Sequence, residues 1–151
     1  MKRAKALKDL ELLKPVKKFF KDYWRTNSCS PRLCDLTLIS GNVDIPVYAQ
    51  HVDAIEPGSK TGWSSAEAIK LAGAVGTLLN HSEHPMKFSD IKFEVERGKK
   101  LELMTCVCFD DIEMNRICAT LEPDFIAIEP PELIGGEQSV VDADPEIVVG
   151  Q

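Results

Sequence analysis

Three titratable side chains stand where short apolar runs give out: His51 after YAQ, His81 after LLN and Glu129 closing FIAIE. Glu129 follows four uncharged residues and precedes Pro130 and Pro131. Its backbone is therefore held extended and its carboxyl partly desolvated, an environment that favours proton uptake and suits a general base. His81 lies in LLNHSEH beside Ser82 and Glu83. A helix turn opening at Ser82 would present its positive end to the ring, disfavour imidazolium and leave a neutral imidazole able to hydrogen-bond a developing oxyanion. A Glu and a neutral His converging from the rims of two neighbouring β/α modules suit proton abstraction next to a carbonyl. The ordinary alternatives are a strand-end carboxylate facing water and a structurally satisfied histidine.

Two other groupings bear on chemistry. Cys106 and Cys108 fall on one face of an apolar run and Cys118 lies ten residues on, so a soft-metal site with a histidine is conceivable. A lone C-x-C lacks the paired ligand sets of structural zinc, and five cysteines at irregular spacing read as reduced, mostly buried thiols. The expectation is no metal, no disulfide and no cofactor. Pro130-Pro131-Glu132-Leu133-Ile134-Gly135-Gly136 has a stiff entrance and a permissive exit, as a lid offering backbone amides to an anion would have; a plain surface connection is the alternative.

The elements that must position these groups are short apolar strands separated by helical stretches. Strands are expected at 45–50, 74–79, 103–108 and 125–129, with a weaker one near 28–34, and helices at 64–72, 88–100 and 111–120. Ser89 is a candidate cap for the second helix, and Asp110 or Asp111 for the third. Alternation of this kind argues for parallel strands joined by crossovers, and nearly continuous apolar runs argue for burial on both faces, so the class is α/β. An open doubly wound sheet and part of a (β/α) barrel both fit; no G-x-G-x-x-G follows the first strand, which removes the dinucleotide-binding fingerprint. Strand centres lie 30, 29 and 21 residues apart, near the ~31 per unit of an eight-unit barrel, so the chain holds about five units.

The first 25 residues carry nine Lys or Arg and three acids within a chain whose net charge is −6. Leu7, Leu10, Leu13, Val16, Phe20 and Tyr23 recur there at three- and four-residue steps, so the lysines read as the wet side of an amphipathic helix rather than as a nucleic-acid surface, with Pro15 breaking or kinking it. No apolar run reaches the ~18–20 residues of a membrane span, and a cytoplasmic location is expected. The resulting division is a basic helical segment 1–27, a partial barrel 28–136 and a frayed acidic tail 137–151.

Taken together, YAQHVDAIEPGSKTGW (48–63), AGAVGTLLNHSEHPM (72–86), LMTCVC (103–108) and LEPDFIAIEPPELIGG (121–136) resemble, in order and separation, the triosephosphate isomerases of archaeal type. The match runs from about Pro31 to about Pro145. The resemblance implies a partial (β/α)8 TIM barrel of about five of eight units. It also implies the glycolytic and gluconeogenic interconversion of dihydroxyacetone phosphate and glyceraldehyde 3-phosphate through an enediolate, without a cofactor. By motif, Glu129 matches the family's base, His81 its neutral electrophile, and Ile134, Gly135 and Gly136 its phosphate-facing lid. Triose phosphate is the implied partner, with no nucleic acid and no membrane, and the family assembles as homo-oligomers through barrel-side helices and a loop here near 53–63. The family's opening strand with its Asn-x-Lys and its last two units are expected to be missing, with Lys2, Lys5 and Lys8 in the wrong context to replace that lysine. Glu137, where the lid usually has another glycine, sets an anion near the phosphate. Impaired turnover and a poorly folded or self-associating chain are therefore expected; the rival expectation is a non-catalytic module that pairs with another chain to complete the barrel.

Overall fold

In the computed structural model the described residues are 28–110 and 112–128. The basic segment 1–27 with Pro15, Asp111, and everything from Glu129 through the lid and acidic tail lie outside them. In chain order there are a 3-10 turn Leu33–Asp35, α1 Leu36–Ser40, β1 Tyr48–Ala49, α2 Ala66–Leu71, β2 Gly76–Leu79, α3 Phe88–Leu101, β3 Met104–Phe109, α4 Ile112–Ala119 and β4 Phe125–Ile128. The strands form one parallel sheet in the order β1-β2-β3-β4, with a helix in every crossover. Beyond β1, Cys29 bridges Val47 in parallel, giving a fifth strand position. β1 is shorter than the 45–50 expected because Pro46 has no N–H to give a ladder; its carbonyl still accepts from the Cys29 amide at 3.1 Å.

The core lies between the sheet and the helices. Val47, Ala49, Leu79, Val107 and Phe109 meet Leu36 and Ile39 of α1, Ala66 and Ile69 of α2, and Ile91 and Val95 of α3. Gly98 marks a close approach of α3 to β3: a Cβ there would stand 2.7 Å from Thr105 Cγ2 and 2.8 Å from the Leu103 carbonyl. The opposite face is covered less completely than the expected two-sided burial. Leu78, Met104, Cys106 and Ala127 are half-buried and Phe125 is exposed. Tyr48 crosses that face to donate its hydroxyl hydrogen to Met104 Sδ at 3.4 Å.

The expected weak strand at 28–34 reduces to the Cys29 bridge, and 33–40 is helical instead. Helix α2 begins at a true cap, the Ser65 hydroxyl accepting from the Ala68 amide at 3.3 Å. Ser89 does not cap α3. The helix begins one residue before it, Lys87 precedes the first turn, and the Ser89 hydroxyl donates instead to the Asp90 carboxylate at 3.0 Å. Arg97 of α3 joins the Glu67 carboxylate of α2 and reaches Glu56 at 2.6 Å, tying helix to helix and to the loop after β1.

Candidate active site at the carboxyl ends of the strands

β2 delivers its chemistry through a sharp change of direction. Asn80 adopts a left-handed φ of 59°, a conformation asparagine tolerates better than most residues. Its Nδ2 donates to the Cys108 carbonyl of β3 at 2.7 Å, and its Oδ1 accepts from the Met86 amide at 2.8 Å. The loop after β2 is therefore closed on itself and fastened to the next strand, and His81 follows Asn80 as its second residue. Asn80 is the positioning group that sequence reasoning passed over; an Asn directly after an apolar run was the available signal.

Ser82 does not open a helix. His81–His84 is a turn closed by the His84 amide donating to the His81 carbonyl at 2.7 Å, and α3 starts only at Phe88. The expected dipole is replaced by a direct bond: the Glu83 amide donates to His81 Nδ1 at 3.2 Å. The Glu83 carboxylate is 3.9 Å from that nitrogen and 81% exposed, beyond hydrogen-bonding distance. With Nδ1 used as an acceptor, the neutral form of the ring carries its proton on Nε2.

His81 lines a cavity of about 360 Å³ together with Gln50, His51, Ser64 and Leu78, within the ~300–1,000 Å³ usual for small-molecule sites. All three histidines of the chain reach it. His51 stacks on His84 with centroids 3.7 Å apart, and its Nε2 lies 3.4 Å from Asp53 Oδ1. Asp53 is held in turn by the Ser64 amide at 2.7 Å. Burial lowers the His51 pKa, the neighbouring His84 lowers it further, and the Asp53 contact opposes both.

Of the residues singled out from sequence, His51 and His81 are brought onto one cavity. Glu129, Ile134, Gly135, Gly136 and Glu137, with Lys2, Lys5 and Lys8, lie outside the described residues. β2 and β4 are not neighbours, because β3 stands between them. At ~4.8 Å per strand interval their ends are ~10 Å apart along the rim. Leu79 pairs with Val107, and Phe109 with Ile128, so β2 ends two residues short of the register level of Ile128, the residue before Glu129. Cys106 and Cys108 share the sheet face away from the helices, the first half-buried and the second buried. Burial raises the pKa of Cys29 and of Cys118. Among the described residues no group of three or more His, Cys, Asp or Glu side chains is placed to hold a metal, and no helix is long and apolar enough to cross a membrane.

The triosephosphate isomerase family model matches residues 3–151. This chain belongs to the triosephosphate isomerase family. It is 48% identical over 141 residues to triosephosphate isomerase of Methanocaldococcus jannaschii, covering 93% of this chain and 64% of that protein. It is 47% identical over 121 residues to that of Methanococcoides burtonii, covering 80% of this chain and 55% of that one. A crystal structure of triosephosphate isomerase from Bartonella henselae aligns over 60% of this chain and 41% of its own, with a TM-score of 0.48 and 21% identity. The chain thus spans between about half and two thirds of the length of these curated relatives. Within triosephosphate isomerase architecture, the four parallel strands, their crossover helices and the Cys29 bridge are consecutive units of a partial (β/α)8 barrel.

Proposed function

We propose that this chain carries triosephosphate isomerase chemistry, interconverting dihydroxyacetone phosphate and glyceraldehyde 3-phosphate in glycolysis and gluconeogenesis. In this reading the Glu129 carboxylate takes a proton from the carbon beside the substrate carbonyl. The C–H electron pair becomes the enediolate double bond and the carbonyl oxygen takes the charge beside the His81 Nε2–H; the hydroxyl proton of the neighbouring carbon then passes to that oxygen, and the former carbonyl carbon takes the proton back from Glu129 as the new carbonyl forms where the hydroxyl stood. Amides at Ile134, Gly135 and Gly136 receive the phosphate. No cofactor enters, the location is the cytoplasm, and copies associate as homo-oligomers.

The observation that carries this reading is the Glu83 amide bond to His81 Nδ1 at a cavity on the barrel rim. It selects the tautomer an electrophilic histidine needs. A coupled isomerisation assay tests it. Glu129→Gln is expected to lower turnover at least a hundredfold, and turnover indifferent to that change removes Glu129 as the base. A second reading, a module that completes its barrel with another chain, is favoured by the chain's coverage of 55–64% of its relatives. Turnover that rises when the remaining family units are added in trans is its signature.

A further inference from the structure

Two of the three histidines around the cavity touch each other in a way that the proposed chemistry does not use. His51 and His84 stack with centroids 3.7 Å apart and planes 18° apart. The pair is the wall shared with a second cavity of about 490 Å³, lined on its far side by Asp53, Lys60, Trp63 and Lys87. His51 follows β1 and His84 follows β2, so the stack bridges loops leaving adjacent strands.

Both ends of the stack are anchored. On the β1 side, His51 Nε2 lies 3.4 Å from Asp53, whose other oxygen accepts from the Ser64 amide at 2.7 Å. On the β2 side, the His84 amide donates to the His81 carbonyl at 2.7 Å, closing the turn whose Glu83 amide orients the His81 ring. A continuous set of contacts therefore runs from Ser64 through Asp53 and two rings to His81.

We propose that His84 is a positioning residue for His81, acting through its stack on His51, and that the stack holds only while at most one of the two rings is charged. Like charges at this separation repel strongly. Asp53 meets one ring only. Glu83 on the turn is largely exposed, and the charged groups lining the second cavity balance, Asp53 and Asp90 against Lys60 and Lys87. The lowered His51 pKa, caused by burial and then by His84 despite Asp53, agrees with this. Acid therefore opens the stack, frees the turn and misplaces His81. Only the consequence for turnover rests on the reading of His81 as electrophile.

The test is an NMR pH series in the full chain that follows the backbone amide of position 84, whose bond to the His81 carbonyl closes the turn, with His84→Phe and His84→Ala. The Phe variant keeps a ring to stack but no titrating nitrogen. The amide signal of the unmodified chain is expected to leave its closed-turn position in acid, that of His84→Phe to keep it at the same pH, and that of His84→Ala to be displaced at every pH. In the isomerase assay, His84→Ala lowers kcat about tenfold with KM nearly unchanged, and His84→Phe restores it. An amide signal whose acid response is the same in the unmodified chain and in both variants overturns the proposal. The spectra need no turnover, so a chain that never isomerises refutes the proposed function while the pH series still decides the stack.

Discussion

Asn80 does more for the site than its neighbours in sequence suggest. It combines a left-handed backbone with two bonds, to the Cys108 carbonyl and from the Met86 amide. Asn80→Ala strands both partners and is expected to cost about 1–3 kcal/mol, measured by denaturant unfolding. Asn80→Gly suits the backbone but loses the same bonds, so recovery to the unmodified stability would show that backbone geometry alone matters. His51 gives a pH dependence whose sign is fixed. Its folded pKa is lowered, by burial first, so on acidification the unfolded ring, at about 6.5, takes up its proton before the folded one. The stability it contributes is present above that value and is lost as pH falls toward the folded one. Thermal melts at pH 7.5 and pH 5 should show a larger acid loss for the unmodified chain than for His51→Asn; equal losses contradict it. His51 and His81 were legible as strand-end residues. The His51–His84 stack was not, because contact between residues on different loops leaves no periodic trace.

At the scale of elements, the strands announced themselves and their neighbours did not. The apolar runs that form β2, β3 and β4 are continuous enough to be read directly, whereas α1 spans only Leu36–Ser40, too short to develop a 3.6-residue repeat. Periodicity likewise marked α3 but not its most unusual residue. Glu94 is buried on α3, its Oε1 has no hydrogen-bond partner, and burial pushes its pKa up to about 7, with Glu67, Asp53 and Glu56 adding to the rise and Arg97 opposing it. A carboxyl raised in the folded state contributes fully below its unfolded value of about 4.5 and loses that contribution as pH rises through 7. Glu94→Gln is therefore expected to raise stability at pH 8 by about 1–3 kcal/mol and to change it little at pH 5; a gain equal at both pH values contradicts the assignment. Gly98 runs against helix propensity, since alanine is favoured there by about 1 kcal/mol in isolation. The approach of Thr105 and the Leu103 carbonyl reverses that sign, so Gly98→Ala should destabilise by about 1–3 kcal/mol, read as a lower melting temperature.

For the whole molecule, parallel pairing was foreseeable from the alternation of strands and helices and the barrel's consecutive units from the family resemblance, but the uneven burial of the sheet's two faces was not. That depends on what covers a sheet rather than on the pattern along its strands. Leu71, Trp63, Phe125 and Phe88 are exposed, large apolar side chains whose burial against another copy would favour association. Sedimentation of the purified chain should show concentration-dependent self-association, and a strictly monomeric boundary across a wide concentration range would contradict it. The 151 residues match about half to two thirds of the length of the curated relatives. Proton abstraction is the first step of the proposed chemistry and the one that isolates the role of Glu129. Dihydroxyacetone phosphate is to be incubated with the chain in D2O and followed by proton NMR at its hydroxymethyl carbon. Deuterium should enter that position faster than in buffer, and Glu129→Gln should return the rate to the buffer level. Exchange at the buffer rate, or exchange equally fast in Glu129→Gln, contradicts the proposed chemistry.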